Sequence, residues 1–151
     1  MTLTRRRVLA LAAGAAAIPA LNILPGRAFA APEETSRLME EFARGKAPQT
    51  GKIKLTAPEI AENGNTVPIT VEVDSKMVEG DMVESVAIFA EGNPRPEVAT
   101  FTFSALSGAA AATTRMRLAK TQNVVAMVRM ADGSVYMDKK EVKVTIGGCG
   151  G

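Results

Sequence analysis

The sequence predicts an all-β protein. It reads as an immunoglobulin-like antiparallel β-sandwich of about seven strands, with an N-terminal helix and a flexible C-terminal glycine–cysteine arm. Three observations carry this. From residue 52 onward apolar residues recur at every second position, most clearly in "TVPITVEVD", where Val67, Ile69, Val71 and Val73 alternate with Thr70, Glu72 and Asp74. The runs are short and are separated by the turn dipeptides Asn63-Gly64, Gly80-Asp81, Asn93-Pro94, Ser107-Gly108 and Asp132-Gly133. The chain has no tryptophan and only 4% aromatic residues, so the core has to be filled by Val, Ile, Leu, Met and Ala. Seven such runs, at 52–57, 66–74, 83–91, 97–104, 112–119, 122–131 and 134–146, fit a sandwich better than a helical or α/β domain. The cysteine–tryptophan core of antibody domains is missing, so only the architecture is implied.

Residues 1–30 read as an export signal outside the fold. "TRRRVL" heads the apolar run "VLALAAGAAAIPALNIL", and "AFA" closes it, so cleavage is expected after Ala30, with Ala28 and Ala30 before the cut and Ala31 after it. Arg5-Arg6 behind a hydroxyl residue, with Val8 and Leu9 following, resembles the twin-arginine signal of proteins exported folded to the periplasm. The alternative is an uncleaved anchor, for which a run of roughly 17 residues is at the short limit. Cleavage removes four of the 18 basic residues and none of the 16 acidic ones, so the mature net charge is about −2. With no basic patch or stripe, nucleic acid is not an expected partner.

Residues 31–50 are expected to form one helix of about three turns and a linker. Pro32 suits a first helical position, Glu33 and Glu34 suit the first turn, and Gly45 follows the last apolar residue. Leu38, Met39 and Phe42 share one face, so the helix has to lie against something. Residues 51–146 then form the sandwich. Asp132-Gly133 between two good strands predicts a tight hairpin. In "VVAMVRM", Val124, Ala126, Val128 and Met130 face one way and Val125 and Met127 the other. Either the helix covers the second face of this strand or another protein does.

Residues 147–151, "GGCGG", hold the only cysteine of the chain, Cys149, between Gly147, Gly148, Gly150 and Gly151. Four glycines give a thin, mobile segment with almost nothing to pack. Three residues past Ile146 carry the sulfur about 10 Å from the sheet. A lone cysteine forms no intramolecular disulfide, and an exposed thiol in an oxidising compartment is a liability unless it is used. The chain contains no histidine, which removes Ser-His and Cys-His catalysis and the commonest metal ligand. A free thiol of pKa about 8.5 is only a few per cent thiolate near neutrality. The nearby Gly151 carboxylate disfavours a second negative charge. Activation therefore has to come from whichever enzyme receives the arm, which is the logic of a carrier.

The terminal "GGCGG", the twin-arginine leader, "EIAENGNTVPITV" (Glu59 to Val71) and "NPRPEVATF" (Asn93 to Phe101) resemble the SoxY family, the sulfur-carrier subunits of the periplasmic thiosulfate-oxidising system. The resemblance spans essentially the whole chain. It implies that Cys149 holds the sulfur substrate covalently, that the chain is not itself an enzyme, and that it needs no cofactor. It also implies partners: a SoxZ-like β-sandwich subunit forming a heterodimer, a haem c-type enzyme conjugating thiosulfate to the thiol, a manganese hydrolase releasing sulfate and, in some systems, a sulfane dehydrogenase.

Other readings fit less well. Ubiquitin-like sulfur carriers also end in Gly-Gly, but they are activated by cytoplasmic ATP and this chain carries an export signal. A periplasmic immunoglobulin-like module tethered through its cysteine has no need of four glycines. Met77, Met82, Met116, Met127, Met130 and Met137 lie at no ligand spacing, so core filling explains them better than copper.

Overall fold

The computed structural model describes residues 32–147. Helix α1 (Pro32–Ala43) is followed by strands β1 (Ile53–Thr56), β2 (Ile60–Asn63), β3 (Val67–Val73), β4 (Val83–Ala90), β5 (Glu97–Thr102), β6 (Ala111–Met116), β7 (Gln122–Met130) and β8 (Val135–Ile146), with a single 3₁₀ turn at Ala105–Ser107 before β6. The strands form two sheets, ordered β1-β3-β6 and β2-β8-β7-β4-β5.

The expected sandwich is present, with two changes. An eighth strand, β2, lies at the edge of the larger sheet, and it pairs with β8 in parallel rather than antiparallel (Ile60 with Lys143, Asn63 with Ile146). Period two is hard to read in "IAEN", because only Ala61 is buried. A short polar edge strand gives little hydrophobic signal, and it suits an edge that must not recruit further strands.

The core lies between the sheets. Ile53, Leu55, Val67, Ile69, Val71 and Val73 from the small sheet meet Val83, Val86, Ile88, Val124, Ala126, Val128 and Val142 from the large one. Asp138 on β8 ties the sheets together by accepting from the Leu55 amide at 2.8 Å.

A second apolar cluster lies on the other face of the large sheet. Ala87 and Phe89 of β4, Val125 and Met127 of β7, and Val135 are buried there under Leu38, Met39, Phe42 and Ala43 of α1. The two-sided strand is therefore a central strand roofed by the helix, and neither of its faces is left for a second protein. Phe42 meets Phe89 edge-on, with ring centroids 6.2 Å apart. The helix end is fixed by Arg129, which donates to the Phe42 carbonyl (2.8 Å), pairs twice with Glu84 (3.0 Å each) and stacks 4.8 Å over the Phe42 ring. Arg44, in the left-handed region just past the helix, adds a 3.2 Å contact to the same Glu84. The Arg129 guanidinium holds the Glu84 carboxyl below its ordinary value, with Arg44 a lesser cause.

The hairpin between β7 and β8 forms as the sequence predicts. Gly133 (φ +83°) donates to Met130, and the Met130 amide bonds to Ser134. This is the three-residue loop in which glycine takes the left-handed position. No helix among the described residues is long and apolar enough to cross a membrane.

Candidate functional site

Of the residues singled out in the sequence, Gly147 lies within the described chain. Gly148, Cys149, Gly150 and Gly151 lie outside it, as do Arg5, Arg6, Ala28, Ala30 and Ala31. The structure thus shows the root of the glycine–cysteine segment: the end of β8, the Asn63-Gly64 turn and the loop from Arg117 to Thr121.

β8 reaches this root held from both sides. The Ile146 carbonyl accepts from the Gly64 amide at 2.8 Å, and the Gly64 carbonyl accepts from Leu118 at 2.8 Å. Gly64 is buried, and the Asn63 side chain shapes its turn by accepting from the Asn65 amide at 2.9 Å. Thr145 donates to the Glu62 carbonyl (2.9 Å), and Thr121 Oγ1 accepts from the Val144 amide (2.9 Å).

Gly147 has no room for a side chain. A β-carbon there would lie closer than 3 Å to the Ala119 carbonyl oxygen, a separation that real β-carbons essentially never show. The loop that crowds it is fixed by two amides. Asn93 Oδ1 accepts from the Ala119 amide (3.0 Å) and from Gln122 Nε2 (2.9 Å), while Asn93 Nδ2 donates to the Arg117 carbonyl (2.8 Å). Gln122 Nε2 also donates to the Lys120 carbonyl (3.1 Å), and Gln122 Oε1 accepts from the Gly92 amide (2.6 Å). Gln122 is buried, as a satisfied polar group has to be in such a place.

Beside the root lies a cavity of about 670 Å³, between α1, its linker and the large sheet. Thr35, Met39, Ala43, Pro48 and Met127 give it a largely apolar wall, and Glu91 and Lys120 lie among its lining residues. Gly92 and Lys120 belong to both the cavity and the root. Thr35 Oγ1 is buried there without a hydrogen-bond partner. Among the described residues, no group of three or more His, Cys, Asp or Glu is placed to hold a metal. The carboxyls with depressed pKa are elsewhere: Glu84 at the helix end, Asp81 beside Lys52, and Asp132 in the β7–β8 turn.

The tail glycines are plain in the sequence, but their setting is not. Asn93-Pro94 and Asn63-Gly64 read as turns within segments that carry the family resemblance, with no sign of the loop they hold, and Gln122 reads as the first residue of a strand. A polar residue opening an otherwise apolar strand is the available signal for Gln122. No signal marks Asn93 as its partner, because they are 29 residues apart.

A two-sheet sandwich with one face roofed by a helix, whose last strand ends at a crowded glycine, defines a class of β-sandwich protein. Comparison with known proteins narrows the class. Residues 39–149 match the family described as "Sulfur oxidation protein SoxY", and the matched segment ends on the cysteine. The chain belongs to the SoxY family. It is 37% identical to the sulfur carrier protein SoxY from Chlorobium limicola f thiosulfatophilum, covering 74% of this chain and 98% of that one with a TM-score of 0.58. A superoxide reductase (neelaredoxin) from Ignicoccus hospitalis is 19% identical with a TM-score of 0.55, covering 69% of this chain and 91% of that one, a likeness of fold alone. No curated protein matches.

Proposed function

We propose that this chain is a non-catalytic sulfur carrier of thiosulfate oxidation, holding sulfur intermediates as adducts of Cys149 and presenting them to partner enzymes. The observation that carries the reading is the family match running through to Cys149, in a chain similar over three quarters of its length to a sulfur carrier protein. The chemistry agrees. Cys149 is the only thiol in the chain, it stands between pairs of glycines, and no histidine is present to make it a nucleophile in its own right. The partners proposed are those of the family: a haem c-type enzyme that conjugates thiosulfate to the thiol, a manganese hydrolase that releases sulfate, and a sulfane dehydrogenase for the remaining sulfur where one exists. A SoxZ-like subunit is proposed as the heterodimer partner. This part rests on the resemblance alone, since β7 is internal. The proposed location is the periplasm, reached by the twin-arginine route.

One preparation tests these parts together. Protein taken from the periplasm of thiosulfate-grown cells should begin at Ala31 and co-elute 1:1 with a second β-rich chain. Its intact mass should show adducts on Cys149, at increments of sulfur or thiosulfonate, that reductant removes. A bare thiol throughout turnover contradicts the carrier. A monodisperse monomer contradicts the heterodimer, and a retained leader contradicts the export reading.

A further inference from the structure

The two edges of the large sheet are finished differently. β2, at one edge, is four residues long and mostly polar at its surface, with only Ala61 buried. β5, at the other, is six residues long, and of the eight strands it alone buries no side chain. Exposed edges are usually guarded by lysine, proline or a bulge. Within Glu97–Thr102 the one charge is Glu97, at the start, and there is no proline. The register shift against β4 falls at Ile88/Phe89, so the stretch from Ala99 to Thr102 is regular.

The backbone of this edge is open as well. The Phe103 amide donates to the Glu84 carbonyl at 3.0 Å, and the register continues through Thr102 with Ser85, Phe101 with Val86 and Thr100 with Ala87. Hydrogen-bonded pairs alternate along an antiparallel ladder, so Phe101 bonds to β4 while Thr100 and Thr102 turn their N–H and C=O groups outward. No strand of this chain lies on that side.

Beside the same edge, apolar surface is left uncovered on both faces of the sheet. On the core side Phe101 and Phe103 pack against the inter-sheet core yet stay half-buried, and Leu106, in the capped turn that follows, is 97% exposed. On the helix side a notch of about 210 Å³ lies between α1 and the β4–β5 edge, lined by Leu38, Glu41, Phe42, Phe89 and Glu97. The next strand of a sheet covers what its neighbour leaves open on both faces, because its side chains alternate between them.

We infer, resting on the proposed heterodimer and deepening it, that β5 is where the second subunit joins this chain, by adding a strand of its own to the large sheet. That strand is extended, apolar toward Phe101 and Phe103, and basic toward the notch, where Glu97 supplies negative charge and Glu41 shares its own with Arg37 at 3.5 Å. A second copy of this chain fits less well. Its own β5 would bring Thr100, Thr102 and Glu97 to the helix side, side chains too short for the notch or of the same sign as its rim.

The test compares the mature chain alone with the complex it forms with the second subunit. Amide hydrogen exchange at Thr100 and Thr102 should be fast in the chain alone and slower by about a hundredfold or more in the complex, as for amides newly paired in a sheet. Thr100→Pro removes an outward N–H that β4 does not use, a change that a free edge tolerates. It should leave the unfolding midpoint near wild type and weaken association at least about tenfold. Glu97→Lys should weaken association too, and by less at high salt. A 1:1 complex in which Thr100 and Thr102 exchange as fast as in the free chain overturns the inference and leaves the heterodimer standing, as does wild-type affinity in Thr100→Pro. Protection of the same amides in a homodimer of the chain alone overturns the choice of occupant. A monomer isolated from the periplasm contradicts the heterodimer itself, and the inference with it. Exchange is read on the unaltered chain, so it decides the matter even where a variant fails to fold.

Discussion

The helix-covered face and the arm root are both places where the large sheet is closed off, and they are closed in opposite ways. Under α1 the closure is by mass: Phe42, Phe89, Val125 and Met127 fill the space, and Arg129 fastens the helix end. At the root the closure is by subtraction. The missing β-carbon of Gly147 lets backbone approach backbone, that of Gly92 makes room for the Lys120 and Gln122 side chains, and two side-chain amides supply the bonds. The first region is bound by apolar burial, so damage there should appear in stability. The second is bound by directed hydrogen bonds around a short loop, so damage there should appear locally, at the end of β8, more than in global stability.

The largest effect expected of that contrast is at Phe89. Phe89→Ala removes a buried ring shared by β4, β7 and α1 and should cost about 3–5 kcal/mol. Denaturant unfolding of the mature chain would measure it. A loss under about 1 kcal/mol, well below the usual cost of emptying a buried aromatic site, would mean the helix contributes little to the fold. The two regions would then no longer differ as described.

A smaller effect is expected at the helix fastening. Arg129→Met keeps the stem but leaves Glu84 and the Phe42 carbonyl without their main donor, an expected loss of about 1–3 kcal/mol. Its pH dependence has a definite sign. Because Arg129 lowers the folded-state pKa of Glu84, the unfolded chain takes up the proton first as pH falls. That share of stability is complete above the ordinary value of 4.5 and is lost as pH falls through the depressed folded value. Unfolding curves from neutral pH down through the acid range should show the wild type losing its margin over Arg129→Met at the acid end. Parallel curves would remove the Glu84 pair from the account.

Much of this architecture is legible in the amino-acid sequence. Val67, Ile69, Val71 and Val73 give β3 its inward face, and Pro32 and Gly45 bracket α1, because period and capping are local properties. "VVAMVRM" shows that β7 has two apolar faces but not what covers the second, since a face cannot name its partner across roughly 80 residues of chain. β2 escapes a sequence reading because a four-residue edge strand with one buried side chain has no period to detect. The same limit applies at the site. "GGCGG" announces the thiol, yet Asn93 and Gln122, which hold the loop against its root, are ordinary polar residues until the fold brings them together.

The proposed function depends first on Cys149 serving as the covalent attachment point for sulfur. Cys149→Ser is the most direct measurement of it, because a hydroxyl cannot form the sulfur–sulfur bond and changes almost nothing else. With the proposed partner enzymes present, thiosulfate-dependent turnover should disappear while the unfolding midpoint and the proposed 1:1 association with a second subunit stay at their wild-type values. Turnover that persists in the serine variant would contradict it outright, whatever the state of the fold.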